Sequence, residues 1–265
     1  MAVLQSLVSP KGSFADVAKL VFNITTAAFQ MGAQRIDFVV DQYPQVSIKT
    51  CERNRRSQQG VLKVLINHRD QPCPLQWKKY LSLDENKVAL VSFLVKEWSR
   101  PEYAASLQHR SLFVTHGNYC TKMSSTDGLS VETSAVVELE CTHEEADTRM
   151  LFHAAHASSL GSRTIVIRSP DTDVAILAVV LCRQFAQGSR MFFRTGTKHR
   201  VRYIDVFALR RKLGEQVRDA LLGLRSLTGC DSTIAFKNCG KKPGLELLIS
   251  NPGLVKRSSV VWPEF

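Results

Sequence analysis

The chain contains no run of about 18 apolar residues, so no segment of it is expected to cross a membrane as a helix. The opening Met1-Ala-Val-Leu-Gln-Ser-Leu-Val-Ser-Pro10 lacks a basic leader, an apolar stretch and a small-residue cleavage site, and does not read as a signal peptide. The seven cysteines (Cys51, Cys73, Cys120, Cys141, Cys182, Cys230, Cys239) are odd in number, scattered, and never form Cys-x-x-Cys. That pattern argues against a disulfide scaffold and a finger-type zinc site. It predicts reduced thiols in an intracellular protein, nuclear or cytoplasmic. No Gly-x-x-x-x-Gly-Lys-Ser/Thr is present, which removes the P-loop nucleotide hydrolases. Repeats, low-complexity tracts and serine or cysteine nucleophile motifs are missing too. Acids are in deficit: 24 Asp and Glu stand against 35 Lys and Arg, a net charge of +11. A surplus of that sign favours polyanionic partners, and nucleic acid is the commonest of these inside cells.

What is present is an ordinary globular composition, 44% hydrophobic over 265 residues, enough to bury a core. Apolar spacings of three and four over residues 14 to 31 predict an amphipathic helix. Ile36-Asp-Phe-Val-Val-Asp41 reads as a strand buried on both faces and closed by an acid. A basic stretch follows (Lys49, Arg53, Arg55, Arg56, Lys63, His68, Arg69), with Ser47 as a possible helix cap. Asp84 to Trp98 is a second helix with Asp84 as N-cap, and the segments around His116-Gly117-Asn118 alternate as a hairpin. A helix begins near His143 with acids in its first turn and ends at Gly161. Thr164 to Arg168 is another buried strand, leading through Asp171 into a buried helix from Val174 to Cys182. Met191-Phe-Phe-Arg and Arg200-Val-Arg-Tyr suggest a second hairpin, Asp205 caps a helix, residues 215 to 229 form another, and Gly229 to Gly244 reads as a lysine-bearing loop. This order predicts an α/β three-layer sandwich with a mainly parallel central sheet flanked by helices.

In such sheets ligands sit at the carboxyl ends of strands, and both Asp41 and Asp171 close a predicted strand. Glu144, Glu145 and Asp147 stand in a first helical turn, Asp173 follows Asp171, and Asp231 follows Gly229-Cys230. Each has a plain structural reading as well, as a helix cap, a dipole complement or an Asx-turn residue. Gathered together they would repel one another unless a cation compensated, and their hard oxygens suit Mg2+ or Mn2+. Two such ions about 3.5–4 Å apart can activate water against a phosphodiester. The basic run 49 to 69 is a solvated face or, beside such a site, a clamp on the nucleic-acid backbone. His153 and His156, three apart, read as exposed helix residues rather than ligands.

The order of these segments resembles the flap endonuclease and XPG-type nucleases of the PIN-like superfamily. Val39-Val40-Asp41 with the basic helix beyond it, Glu145-Ala146-Asp147-Thr148, Asp171-Thr-Asp173, Gly229-Cys230-Asp231 and Asn238-Cys239-Gly240-Lys241-Lys242 carry the likeness, from about Asp41 to Leu248. Ser-Pro-Asp-Thr-Asp and Thr-Gly-Cys-Asp are similar to signatures of animal proteins, some linked to mobile elements. The resemblance implies a PIN-like fold and one domain over 1–265, with an insertion over 57–140 and a helical DNA-contact region over 229–250. It implies two Mg2+ or Mn2+ ions on Asp41, Glu145, Asp147, Asp171, Asp173 and Asp231, with Lys49 and Arg53 steadying the scissile phosphate. Arg55, Arg56, Lys241 and Lys242 would contact nucleic acid, DNA ahead of RNA. Relative to that family, Asp147 replaces a glutamate, Gly240-Lys241-Lys242 replaces Gly-Pro-Lys, and a first strand with a further aspartate is missing ahead of Met1. The expected activity is structure-selective phosphodiester hydrolysis. The alternative is a catalytically impaired domain that binds nucleic acid or protein.

Overall fold

The computed structural model describes residues 2–43, 63–196, 200–229 and 240–251. The chain divides into two compact units, residues 1–149 and 150–265.

The first unit opens with two helices, α1 (Ala2–Ser6) and α2 (Phe14–Thr26). Ser13 starts α2 as a reciprocal capping box: its hydroxyl accepts the Asp16 N–H, and the Asp16 carboxylate accepts the Ser13 N–H at 2.7 Å. Helices α3 (Trp77–Tyr80), α4 (Asp84–Trp98) and α5 (Ala104–Leu107) follow strand β1 (Arg35–Phe38). They lead to β2 (Ser111–His116), which lies parallel to β1, with Ile36 opposite Leu112. A turn at Gly117-Asn118 returns the chain antiparallel as β3 (Tyr119–Ser124), and β4 (Glu132–Ala135) pairs antiparallel with β3. The sheet order is β1-β2-β3-β4. One face buries Leu112, Val114, Met123 and Phe38 against Phe14, Phe22, Trp77 and Trp98. Both indoles also satisfy their N–H groups, Trp77 on the Leu4 carbonyl and Trp98 on the Ala18 carbonyl, each at 3.0 Å. The other face holds a smaller cluster of Phe113, Cys120, Val136 and Leu139.

The first turn of α6 (Ala146–Ser159) belongs to the first unit and the rest to the second. In the second unit β5 (Thr164–Arg168) is followed by α7 (Thr172–Leu181) and then β6 (Arg190–Thr195), which pairs parallel to β5. The β6–β7 connection passes through Gly196 at φ +89°, and β7 (Arg202–Asp205) runs antiparallel to β6. Asp205 then caps α8 (Val206–Leu227), its carboxylate accepting the Ala208 N–H at 2.8 Å. Gly214 breaks the helical backbone inside α8, so the two expected helices are one run with a kink. The last element is α9 (Lys241–Ser250). Ile165, Ile167, Met191 and Phe193 face a core completed by Val174, Leu177, Leu221 and Leu224.

An α/β chain was expected and is found, but its sheets are mixed rather than mainly parallel. Each has one parallel pair, and β2–β3 and β6–β7, joined by short connections without a crossover helix, run antiparallel. The strand β5 is not buried on both faces either: Thr164, Val166 and Arg168 are exposed and only Ile165 and Ile167 face the core. It occupies an edge of a three-stranded sheet, and alternation is what a one-sided strand requires. Among the described residues no helix is long and apolar enough to cross a membrane.

Candidate functional site

The acids are distributed between the two units. In the first, the chain leaves β1 extended, with the Val40 N–H on the buried Thr115 hydroxyl at 2.9 Å. The next residues meet the start of α6 from more than a hundred positions away. The Asp41 carboxylate accepts the Ala146 N–H at 2.9 Å and the Tyr43 hydroxyl at 3.3 Å. Gln42 donates its backbone N–H to the Glu144 carbonyl at 2.7 Å and its side-chain amide to the Cys141 carbonyl at 2.6 Å. Asp41 and Gln42 therefore bind the backbone of the segment that carries Glu144, Glu145 and Asp147. A carboxylate there satisfies an orphan amide and complements the positive end of the helix.

One turn into α6, Arg149 is fully buried. One guanidinium nitrogen, Nη1, donates to the Val40 carbonyl at 3.1 Å, while among the described residues Nε and Nη2 find no nitrogen or oxygen acceptor. Burial pushes this guanidinium below its ordinary value, opposed by Cys141, Cys120 and Asp41. It also contributes, after burial itself, to holding the His116 imidazole below its usual value. The residue was missed in the sequence. Its signal was position: Arg149 lies three residues after Ala146 and two before Leu151, all three of them buried.

In the second unit Asp171 and Asp173 have separate tasks. Asp171 is exposed and caps α7, accepting the Asp173 N–H at 2.8 Å, while its own N–H rests on the Ser169 hydroxyl at 3.0 Å. Asp173 is buried, and its two oxygens face two cations, the Lys241 ammonium and, at 3.6 Å, Arg225 Nε. An arginine in the last turn of α8 and a lysine in the first turn of α9 thus converge on the start of α7. Gly244 makes this close approach possible, because a Cβ there would stand 2.5 Å from Leu224 Cδ1.

Two expectations for the basic residues change. Lys241 and Lys242 occupy the first turn of α9 rather than a loop; Lys241 is engaged with Asp173, whereas Lys242 projects into solvent. Arg69, counted in the basic clamp, bridges the buried Glu97 at 2.5 Å and Glu102 at 2.8 Å, and residues 63 to 69 are not helical. Arg69 pairs with a carboxylate buried in the core and is therefore a structural cation. Lys49, Arg53, Arg55, Arg56 and Asp231 lie outside the described residues, as does the helix expected from Ser47. His153 is buried rather than exposed.

The fit to a divalent ion differs between the units. Near the start of α6 the Asp41 carboxylate accepts the Ala146 N–H, and carboxylate oxygens are the donor chemistry that Mg2+ selects. Asp173 does not suit a further cation as it stands, because Lys241 and Arg225 already balance its charge. Among the described residues no group of three His, Cys, Asp or Glu side chains is arranged to hold a metal ion. No protein-family model, no curated protein and no solved structure matches the chain, and no family is assigned to it.

Proposed function

We propose that the chain acts on nucleic acid as a metal-dependent phosphodiesterase of PIN-like ancestry, with the carboxylates Asp41, Glu145 and Asp147 of the first unit as the catalytic centre. The observation that carries this reading is the meeting of Asp41 with the acidic start of α6, across a sequence separation of 105 residues. Asp41, Glu145 and Asp147 supply oxygens suited to Mg2+ or Mn2+ beyond one strand end. When bound, such ions would lower the pKa of water and stabilise the leaving oxygen. The protein's own residues hold the Asp41 carboxylate in place through the Ala146 amide, and its excess of Lys and Arg attracts the polyanion. Incubation with flap and hairpin DNA and RNA in Mg2+ should release cleavage products, and Asp41→Asn and Asp147→Asn should each remove them. Equal cleavage by wild type and both variants would overturn the assignment.

The second reading is a nucleic-acid-binding module without hydrolysis. It is favoured by the Asp173 carboxylate, whose charge Lys241 and Arg225 already compensate. Retention of oligonucleotide binding with no Mg2+- or Mn2+-dependent cleavage would select it.

A further inference from the structure

The outer face of the β5–β6–β7 sheet carries a pattern that the acids do not explain. Ile165, Ile167, Met191 and Phe193 point into the core, so Thr164, Val166, Arg168, Arg190, Phe192 and Arg194 point the other way. The register sets Arg168 beside Arg194 and Arg194 beside Tyr203 in one row across the three strands. Two residues along, Val166 lies beside Phe192 and Phe192 beside Asp205; two further, Thr164 lies beside Arg190.

This face combines uncompensated cations with open rings. Val166 is 48% exposed and Tyr203 55%. The Arg194 guanidinium lies 5.9 Å from the Tyr203 ring centre and the Arg190 guanidinium 5.1 Å from that of Phe192. Ion pairs among the described residues of this unit use Arg218, Arg225, Lys241 and Lys242, and none uses Arg168, Arg190 or Arg194. The acid that the register places here, Asp205, is engaged in capping α8. Desolvation first, and then the Arg194 charge, push the Arg168 guanidinium below its ordinary value, with Tyr203 opposing. Two like charges side by side on neighbouring strands are unfavourable by themselves and call for a counter-charge.

We infer that the outer face of β5–β6–β7 is a binding platform for single-stranded nucleic acid, with Arg168, Arg190 and Arg194 on phosphates and Tyr203 stacking on a base. The proposal rests on the reading of the chain as one that acts on nucleic acid, and it adds the strandedness of the ligand. The chemistry discriminates among polyanions. Phosphates recur along a strand as cationic groups do along β6, where Arg190 and Arg194 lie about 13 Å apart at ~3.3 Å per residue. Unpaired bases, unlike those in a duplex, offer their flat faces to an exposed ring. An acidic peptide would use the arginines and leave Tyr203 without a role.

The test is fluorescence anisotropy of the full chain with an oligothymidylate of about 12 nucleotides and an RNA of equal length, in EDTA, so that cleavage is silent. Arg168→Glu with Arg194→Glu should weaken binding tenfold or more on the order of magnitude expected for such contacts, and flatten its salt dependence. Tyr203→Ala should weaken it by about tenfold while Tyr203→Phe retains it. Arg211→Glu with Lys212→Glu, the same charge change on exposed positions of α8, should change it far less. Circular dichroism establishes folding of each variant. If the double charge reversal does not fold, the single exchanges Arg168→Gln and Arg194→Gln take its place. Wild-type binding that survives every substitution on this face would overturn the platform and leave the proposed function intact; no wild-type binding at all would sink both. An equal loss in the Arg211/Lys212 control, a preference for duplex, or equal competition by polyglutamate would each also overturn it.

Discussion

The carboxylate of Asp41, three residues beyond β1, accepts the N–H of Ala146, the first residue of a helix 105 positions later. One side chain thereby caps α6 from outside its own segment and binds the backbone of the segment that carries Glu145 and Asp147.

Capping and metal binding place different demands on that carboxylate. Asparagine retains the accepting oxygen and alanine does not, so Asp41→Ala should lose about 1 kcal/mol of stability and Asp41→Asn much less. Urea denaturation reads this difference. Under the phosphodiesterase reading both variants lose Mg2+-dependent cleavage, so a stable but inactive Asp41→Asn separates the two roles.

The meeting of Asp173 with Lys241 fastens α9 to α7. Lys241→Met leaves Arg225 as the cation on a buried carboxylate and should cost about 1–3 kcal/mol, reduced from the fully buried case because Lys241 is one-third exposed. Asp173→Asn should cost a similar amount. A double-mutant cycle should show positive coupling between the two; strict additivity of their unfolding free energies would disprove the link.

Gly196 follows β6 at φ +89°, and a Cβ there would collide with the Arg200 carbonyl oxygen. Both the left-handed backbone and the clash with main chain penalise any side chain. Gly196→Ala should destabilise the second unit by about 2 kcal/mol or more, seen as a lower denaturation midpoint. An unchanged midpoint would mean that the turn does not hold this conformation.

Burial pushes the Cys73 thiol up to about 11 and the Cys120 thiol up to about 12, from an ordinary 9.0. The folded values are raised, so their contribution is fully present below about pH 9. It is lost as pH rises toward 11 and 12, because the unfolded chain releases protons that the folded one keeps. Denaturant titrations at rising pH should show stability falling from about pH 9 upward, and Cys120→Ala should make the fall shallower. The same slope with and without Cys120 would refute this origin.

Local features were legible in the sequence to the extent that neighbours decide them. The three-and-four spacing from Phe14, the Gly117 turn, the Asp171 and Asp205 caps and the strand Thr164 to Arg168 all depend on residues within a few positions, and all are present. An acid after a strand and acids at a helix start were visible in the sequence, but the bond between Asp41 and the Ala146 N–H spans 105 residues and belongs to the tertiary structure. Burial of β5 on both faces was not decidable from its apolar run, since whether Val166 meets a core or solvent depends on what packs across it. Nor could pairing of charges be read along the chain: Arg69 looks like any exposed cation until Glu97 and Glu102 are brought against it. The same holds for Asp173, which carries the same charge in the sequence whether it awaits a metal ion or is already neutralised by Lys241 and Arg225. The sequence alone determined an α/β chain with acids at two strand ends and a surplus of cations. Only the tertiary structure decided which cations are spent inside the protein and which stand open on the outer face of β5–β6–β7. Charge compensation acts over a few ångströms in space, and that distance is not written in sequence order.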